Sequence, residues 1–223
     1  TLFGQIDDNY YWGWSNLDTT RIKILEAAIG LFHANGYSGT SVRDIAKKAR
    51  VNVAQISYYF SSKAGLQEYL ITSFFEEYLQ VLDTHNKKLK TYSARECLIS
   101  TIADVLKFHS DNSKLASYVY REITLQSTFT REIMATYLAK EKQFYKFIFE
   151  YGRKRKEFHA VSVPLTVSQL RSLIIMPFLQ SSYLSEVWQI MPYDPNAIDH
   201  YEMNIVKWLD HMVFVHSSEK LAL

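Results

Sequence analysis

The sequence predicts an all-α protein, with three short helices at helix-turn-helix spacing followed by longer helices that form a bundle. Composition is the first observation: seven glycines and four prolines are about 5% of the 223 residues, against a usual share of roughly 12%. The second is the helical apolar spacing from about residue 90 to residue 216. The third is that short helical patterns occupy residues 19–60 and are separated by brief connections.

The overall composition excludes several classes of protein. Hydrophobic residues are 48% and charged residues 22% of the chain, which argues against wholesale disorder. A single cysteine, Cys97, rules out an intramolecular disulfide framework and a thiolate zinc cage. The longest apolar runs are short, as at 173–177, so no membrane span is predicted. No basic segment followed by an apolar one opens the chain, and we expect a cytoplasmic protein.

The positive charge is concentrated in one short segment. Residues 1–18 carry a net charge of −3, whereas residues 19–68 contain seven basic and three acidic residues and carry +4. The rest of the chain carries +1. A local excess of positive charge of this size is either a binding surface for a polyanion or a solvated helix face.

Capping signals place four helices near the start of the chain. Asp18 or Thr19 can cap the first, and Gly36 ends it because the position after a helix often requires φ > 0. Ser41 and Asn52 are polar caps for the second and third. The predicted bounds are 19–35, from after Ser41 to about 49, 53–60, and from Ser61 or Ser62 to about 88.

The third predicted helix, VAQISYYF, has an unusual composition. Val53, Ile56 and Phe60 fall on one face and would anchor it to the first two helices. The other positions are too polar for a buried helix and lack the charge of a solvated one. Short side chains with hydrogen-bonding tips suit a surface that meets the groove edges and phosphates of duplex DNA. These side chains are Gln55, Ser57, Tyr58 and Tyr59.

The remaining chain is predicted to form helices separated by serine and proline breaks. The breaks are at 110–112, 164, 192 and 195, and the predicted helices are 94–109, 113–126, 128–156, 166–180, 183–189 and 196–216.

Residues 24–66 resemble the DNA-binding domain of the TetR family of bacterial regulators. The family pattern is an alanine-rich helix ending in Phe-x-x-x-Gly-Tyr/Phe, then Thr-x-x-x-Ile-Ala, a turn, a short recognition helix ending in Phe, and Ser-Lys. The matching residues are Phe32, Gly36, Tyr37, Ser41, Ile45, Ala46, Phe60, Ser62 and Lys63. Arg50 stands where the family usually has Gly, so the turn must accommodate a side chain. Ser57 stands where it usually has Tyr, so that tyrosine's phosphate contact is not carried over.

The resemblance implies a TetR-like fold, in which a DNA-binding head precedes a helical domain that forms a homodimer on double-stranded DNA. Such a protein would be associated with the nucleoid. The expected domains are a disordered tail at 1–18, the helix-turn-helix head at 19–66, the dimerisation and regulatory bundle at 67–216 and a C-terminal tail at 217–223. The sequence leaves open whether 1–18 is a native arm, a mis-assigned translation start or an artificial extension.

In this interpretation the third helix enters the major groove, and a dimer reads the two halves of a pseudo-palindrome. Gln55 can form two hydrogen bonds with an adenine edge, although a solvated polar residue is the alternative. The start of the second helix can hold a phosphate, and the matched motif implies that Lys63 contacts another. The predicted DNA-binding residues are Ser41, Val42, Arg43, Asn52, Val53, Ala54, Gln55, Ser57, Tyr58, Tyr59 and Lys63.

Apolar residues on the last long helices have two explanations. Paired across two chains, these helices would make a four-helix dimer interface, as in the family. Packed within one chain, the same residues would be core. The predicted interface residues are Leu170, Leu173, Ile174, Phe178, Ile205, Trp208, Leu209 and Met212.

Two strings, at 118–142 and 170–188, resemble a narrower group, the forespore-capture DNA-binding proteins of endospore-forming bacteria. NVAQISYYF is also close to that group, which extends the likeness over about 20–208. The resemblance implies a cell-division regulator that binds short palindromic motifs near the chromosome origin and affects the division protein FtsZ during sporulation. The alternative is a ligand-responsive repressor of a neighbouring gene, since many TetR relatives hold an inducer in their bundle.

Two further features also have both a structural and a functional explanation. Five aromatic residues within 144–151 would form a core or part of an inducer site. The basic run at 153–156 ends a predicted helix, where cations are favourable, and is also the best candidate for a partner contact outside the head.

Catalysis, metal binding and cofactors are not predicted. None of the seven histidines has the spacing of a His-x-x-x-His or Glu-x-x-His site, and the chain has no glycine-rich phosphate loop. Cys97 has no flanking motif and is expected to pack in a helix.

Overall fold

The computed structural model describes residues 17–124 and 127–216, and these ranges are helical apart from their connections and one isolated backbone bridge. The helices are α1 (Thr19–Asn35), α2 (Val42–Ala49), α3 (Val53–Phe60), α4 (Lys63–Lys88), α5 (Ala94–Asp111), α6 (Ser113–Ile123), α7 (Thr128–Ile133), α8 (Ala139–Lys154), α9 (Val163–Leu179), α10 (Ser181–Val187) and α11 (Pro195–Met212). A π-helical turn, Met134–Leu138, joins α7 to α8. Residues 1–16 of the predicted tail and the C-terminal tail at 217–223 lie outside the described residues.

Apolar side chains from three helices hold the head together. Phe32 of α1, Ile45 of α2 and Ile56 of α3 are completely buried. Asp18 caps α1 by accepting a 2.9 Å hydrogen bond from the backbone N–H of Arg21. The shared core fixes the position of α3 relative to α1 and α2, so that only one face of α3 remains available to a partner.

Positive φ occurs in the turns that precede α2 and α3. Gly36, after α1, has φ 72°, and Arg50, between α2 and α3, has φ 56° and ψ 45°. The N–H of Val51 donates to the carbonyl of Ala46 at 3.0 Å, which closes the end of α2. The turn therefore accommodates a side chain at Arg50, in a left-handed conformation that glycine adopts more readily.

The long helix α4 joins the head to the bundle. Its 26 residues rise 1.5 Å each, so Lys63 and Lys88 lie about 38 Å apart along the axis. Leu66, near its start, is buried, and Phe74 and Tyr78 are buried further along. The same helix therefore contributes to the cores of both parts of the protein.

An aromatic cluster around His109 of α5 forms the centre of the bundle. The His109 ring lies 5.7 Å from the Phe74 ring and 5.2 Å from the Phe178 ring, between centroids. Its Nε2 atom is 2.7 Å from the Tyr120 hydroxyl of α6. Three helices besides α5 thus meet at one buried imidazole.

Within the described ranges, no helix combines the length and apolarity needed to cross a bilayer.

The segments after α8 and α11 pair at the far end of the bundle. Phe158 and Phe214 form an isolated antiparallel bridge, in which the His159 N–H donates to the Val213 carbonyl at 2.8 Å. This extended pairing ends α11 at Met212, four residues before the predicted end at 216.

The bundle differs from the predicted helices at several other places. Helix α5 continues to Asp111, through most of the predicted break at 110–112, and α10 begins and ends two residues before the predicted bounds of 183 and 189. The predicted helix 128–156 is divided by the π-helical turn at Met134–Leu138. Pro164 and Pro195, both predicted to be breaks, lie in the first turns of α9 and α11, where the missing N–H costs no intrahelical bond. The last two residues of the predicted helix 113–126 lie outside the described residues.

Candidate nucleic-acid interface

The outer face of α3 is exposed while its inner face is buried in the head. Ile56 and Phe60 are 0% and 5% exposed, whereas Tyr58 is 82% exposed. The prediction that Val53 is a third anchor is wrong, because its side chain is 39% exposed. Val53 opens the helix one turn before Ile56, and this first turn lies at the surface. The surface of α3 therefore begins at its first residue.

A capping box occupies part of the predicted base-reading surface. The Gln55 Oε1 atom accepts a 3.0 Å hydrogen bond from the Asn52 N–H, and the Asn52 Oδ1 atom accepts a 2.9 Å bond from the Ala54 N–H. The Gln55 amide group can still donate through Nε2. A bidentate contact with adenine requires the Gln55 Oε1 atom to give up its hydrogen bond from the Asn52 N–H. The Asn-x-x-Gln spacing contained this signal, which the sequence reasoning missed.

The two tyrosines of α3 have different surroundings. Tyr59 is half-buried, and burial, followed by the nearby Asp18 carboxylate, raises the pKa of its hydroxyl. Tyr58 packs edge-on against Tyr59, with 5.0 Å between ring centroids, and projects into solvent. Tyr58 therefore has the more accessible hydroxyl of the pair.

The Lys63 ammonium group bonds to the connection between α1 and α2. Its Nζ donates to the carbonyl of Tyr37 at 3.0 Å and to that of Thr40 at 2.9 Å, and lies 4.0 Å from the centre of the Tyr37 ring. One of three N–H donors remains for another partner. The predicted phosphate contact stays a prediction, and the structure gives Lys63 an additional role in holding the head together.

The start of α2 carries a second capping box. The Asp44 carboxylate accepts from the Ser41 N–H at 2.9 Å and from the Ser41 hydroxyl at 2.6 Å. These bonds lower the pKa of Asp44, so its carboxylate stays charged. An anion at this helix start would meet the exposed Arg43 but also this negative group. Asp44 was not among the predicted site residues, although Ser-x-x-Asp is visible in the sequence.

A contact from α6 connects the bundle to the head. The Arg121 guanidinium donates to the carbonyl oxygens of His33 at 2.6 Å and Phe32 at 3.3 Å, in the last turn of α1. The Phe32 ring stacks on the Tyr118 ring at 5.2 Å, and the Tyr118 hydroxyl accepts a 2.7 Å bond from Gln67 of α4. Helix α6 therefore contacts both α1 and α4.

The predicted dimer residues divide into buried and accessible groups. Five lie inside their own chain and offer almost no surface to a partner: Leu170, Ile174, Phe178, Ile205 and Leu209. Leu173 and Trp208 are half-buried, and Met212 is 45% exposed. The core explanation therefore holds for the first group. The prediction of an interface now depends on the second group.

A buried polar cluster in the bundle was missed by sequence reasoning. The Glu141 carboxylate accepts from Arg171 Nε at 3.0 Å and from the Tyr78 hydroxyl at 2.7 Å. A cavity of about 330 Å³ adjoins it, lined also by apolar side chains such as Leu138 and Val167. No group of three His, Cys, Asp or Glu side chains in the described part of the chain is placed to hold a metal ion.

The fold and the exposed edge of α3 define a helix-turn-helix protein of the DNA-binding type. Residues 24–70 match the family described as bacterial regulatory proteins, tetR family. The chain is 44% identical over 191 residues to YttP of Bacillus subtilis (strain 168), a probable HTH-type transcriptional regulator, covering 86% of this chain and 92% of YttP. This chain therefore belongs to the TetR family and is a TetR-type transcriptional regulator. Members of the family bind DNA, typically dimerise and are not enzymes.

Two further similarities are more limited. The chain is 37% identical over 71 residues to IcaR of Staphylococcus aureus (strain Newman), a negative regulator of the biofilm operon icaADBC, covering 32% of this chain and 38% of IcaR. A tetR-family regulatory protein from Rhodococcus RHA1 superimposes with a TM-score of 0.70 at 19% identity, over 85% of this chain and 96% of that one. The second similarity concerns the fold alone.

Proposed function

We propose that the chain is a homodimer that reads a palindromic DNA motif through α3 of each protomer, and that it controls cell division during sporulation. In this proposal residues 19–66 are the DNA-binding head and 67–216 the dimerising and regulatory bundle. The observation that carries the DNA-reading part is the contrast within α3, where Ile56 is buried and Tyr58 is 82% exposed. Two such helices about one turn of DNA apart would read the two half-sites.

The dimer part of the proposal uses the accessible faces of α9 and α11. On α9, Leu165 is 68% exposed and Leu173 is partly accessible. On α11, Trp208 and Met212 are also accessible. A second copy packed there would bring two heads to the same side of the assembly. Light scattering of wild type at low concentration is expected to give a dimer, and Trp208→Glu is expected to give a folded monomer. A wild-type monomer would overturn the half-site argument.

The cell-division part is supported by the likeness of 118–142 and 170–188 to the forespore-capture protein RefZ. That likeness also makes FtsZ the proposed protein partner. Overproducing the protein and its variants separates DNA binding from the effect on cell division. If a variant with Gln55→Ala and Tyr58→Ala still blocks division at full strength, DNA binding is dispensable for that effect.

Genome-wide mapping of bound DNA tests the whole proposal. We expect wild type to occupy several palindromic sites near the chromosome origin, and the Gln55→Ala/Tyr58→Ala variant to lose them. A matched control replaces an exposed glutamine and an exposed tyrosine of the bundle, Gln143→Ala/Tyr183→Ala, and is expected to bind as wild type. Unchanged occupancy in the α3 variant would remove α3 as the reading helix.

A ligand-responsive repressor is the second candidate, and the cavity beside Glu141 and Arg171 is the observation that favours it. A mixed apolar and charged lining suits a small amphipathic molecule. This candidate predicts occupancy at one site beside a neighbouring operon, with higher transcription of that operon when the gene is deleted. Such a result would replace the cell-division proposal.

A further inference from the structure

Basic side chains from two segments, the ends of α4 and α8, meet at the end of the bundle farthest from the head. The Tyr151 hydroxyl of α8 donates to the carbonyl of Leu89, just after α4, at 3.0 Å. The Arg95 N–H in the first turn of α5 donates to the Glu157 carboxylate, after α8, at 3.2 Å. These contacts bring together five exposed cations, which we call the distal basic patch: Lys88, Lys90, Arg153, Lys154 and Lys156.

Nearby carboxylates are already engaged by other groups. Asp83 pairs with Lys87 at 2.6 Å, and Glu96 is held by the hydroxyl and N–H of Ser93. Two further pairs at 2.6 Å are Asp210 with Arg95 and Glu157 with Arg155. Within residues 17–124 and 127–216, no patch cation forms an ion pair with a carboxylate. Glu150, one turn before Lys154 on α8, is paired with Lys146 at 3.9 Å, so no direct ion pair neutralises a patch cation within the described ranges.

Helix dipoles account for only part of this charge. Lys88, Arg153 and Lys154 lie in the last turns of α4 and α8, where cations are favourable. Lys90 and Lys156 lie beyond those helices. Lys156 also has φ 56°, a conformation that glycine or asparagine adopts more readily. Neither helix capping nor backbone geometry requires a lysine at these two positions.

The patch and the reading surface cannot share one contact point. Lys63 at the head and Lys88 in the patch are about 38 Å apart along α4, by the rise of an α-helix. A duplex segment seated on α3 therefore leaves the patch free. Any polyanion bound at the patch is therefore separate from the duplex on α3.

We propose that the distal basic patch binds the phosphate backbone of a second DNA segment without reading its sequence, so that one regulator bridges two segments. Phosphate contacts need cations and no base-specific geometry. A regulator held on DNA by its head is also exposed to a high local concentration of further DNA. An anionic membrane also attracts cations, but stable anchoring needs a second, apolar signal. Leu89, between Lys88 and Lys90, is buried, and Tyr92 is the exposed ring beside Lys90, so the apolar part of such an anchor is small.

A bridging assay with the full chain tests this proposal. Beads carrying one duplex capture a fluorescent duplex of unrelated sequence only when protein connects the two. The patch variant is Arg153→Gln/Lys154→Gln/Lys156→Gln. The matched control, Arg131→Gln/Lys107→Gln/Lys140→Gln, removes the same residue types from exposed bundle positions outside the patch. A head variant, Arg43→Ala/Tyr58→Ala, distinguishes failure of the reading surface from failure of the patch.

We expect wild type and the control to bridge, and the patch variant to lose about tenfold or more in capture while keeping its affinity for a single duplex. The head variant should retain some salt-dependent DNA binding. When the patch substitutions are added to it, the slope of log affinity against log salt concentration should become smaller by roughly 2.7, at about 0.9 per lost phosphate contact. Equal bridging by wild type and patch variant, or no bridging by wild type, overturns the proposal. So does patch-dependent binding to phosphatidylglycerol–phosphatidylcholine vesicles with unaltered bridging, because the partner is then a membrane.

Discussion

The guanidinium of Arg121, on α6, donates a 2.6 Å hydrogen bond to the carbonyl oxygen of His33, in the last turn of α1. The two residues are 88 positions apart in the sequence. The carbonyl groups at the end of a helix have no intrahelical partner, so this bond satisfies one of them with a cation. It also ties the bundle to the head. A displacement of α6 would therefore act directly on α1, which shares the core of the head with α2 and α3.

Replacing Arg121 should weaken both folding and DNA binding. Arg121→Met removes both carbonyl contacts of an exposed side chain, so we expect a stability loss of about 1 kcal/mol. Because the head is then less firmly oriented, DNA affinity should fall several-fold. Urea unfolding and DNA titration measure the two effects. Lys114→Met, an exposed cation on the same helix, is the control. Unchanged affinity in Arg121→Met would show that the tie does not position the head.

Lys63 should affect both stability and the salt dependence of DNA binding. In Lys63→Ala, the carbonyls of Tyr37 and Thr40 lose a charged donor, and we expect the free energy of unfolding to fall by about 1–3 kcal/mol. If its remaining N–H also meets a phosphate, the log–log salt slope should fall by about 0.9. Lys47→Ala, an exposed lysine of α2, should leave stability almost unchanged. An unaltered slope removes Lys63 from the phosphate contacts.

Arg50 should be replaceable by glycine with a gain in stability. Its φ of 56° is unfavourable for a side chain, and Arg50→Gly should stabilise the protein by about 0.5–1 kcal/mol. Arg50→Ala removes the same guanidinium but keeps the unfavourable conformation, and should therefore leave stability nearly unchanged. Thermal unfolding compares the two variants. Equal stability of the glycine and alanine variants would contradict this explanation.

His109 should make the bundle less stable in acid. Burial lowers the pKa of His109 from 6.5 to about 3. Between pH 6.5 and pH 3, the imidazole is therefore protonated in the unfolded chain and neutral in the folded chain. Stability is therefore fully present above about pH 6.5 and falls as the pH decreases. Between pH 7 and pH 5, this group should cost about 2 kcal/mol.

A pair of variants isolates the contribution of His109 to the pH dependence. Tyr120→Phe removes the hydroxyl partner of His109 but keeps the imidazole buried, so the pH dependence should persist. His109→Phe/Tyr120→Phe removes the titrating group and should flatten it between pH 7 and pH 5. Urea unfolding at both pH values measures the difference. If the free energy of unfolding changes equally with pH in the two variants, His109 is not the source of the pH dependence.

The polar cluster of the bundle illustrates why some contacts could not be predicted. Glu141 and Arg171 are 30 residues apart, and nothing in the spacing of either helix pairs them. A similar argument applies to Leu170 and Ile174, which are core rather than interface. Apolar periodicity identifies the buried face of a helix, but it does not say whether the same chain or a second one covers that face.

The sequence by itself determined the all-helical class, the bounds of α1 and α3 and the contrast between Ile56 and Tyr58. These features depend on capping groups, glycine positions and helical period, all of which act over a few neighbouring residues. Only the tertiary structure decided that Arg121 reaches His33, that Lys63 is bonded to the carbonyls of the head, and that five cations lie together at the ends of α4 and α8. Such contacts join residues far apart in the chain, and packing of the whole bundle selects among many pairings that local spacing allows equally.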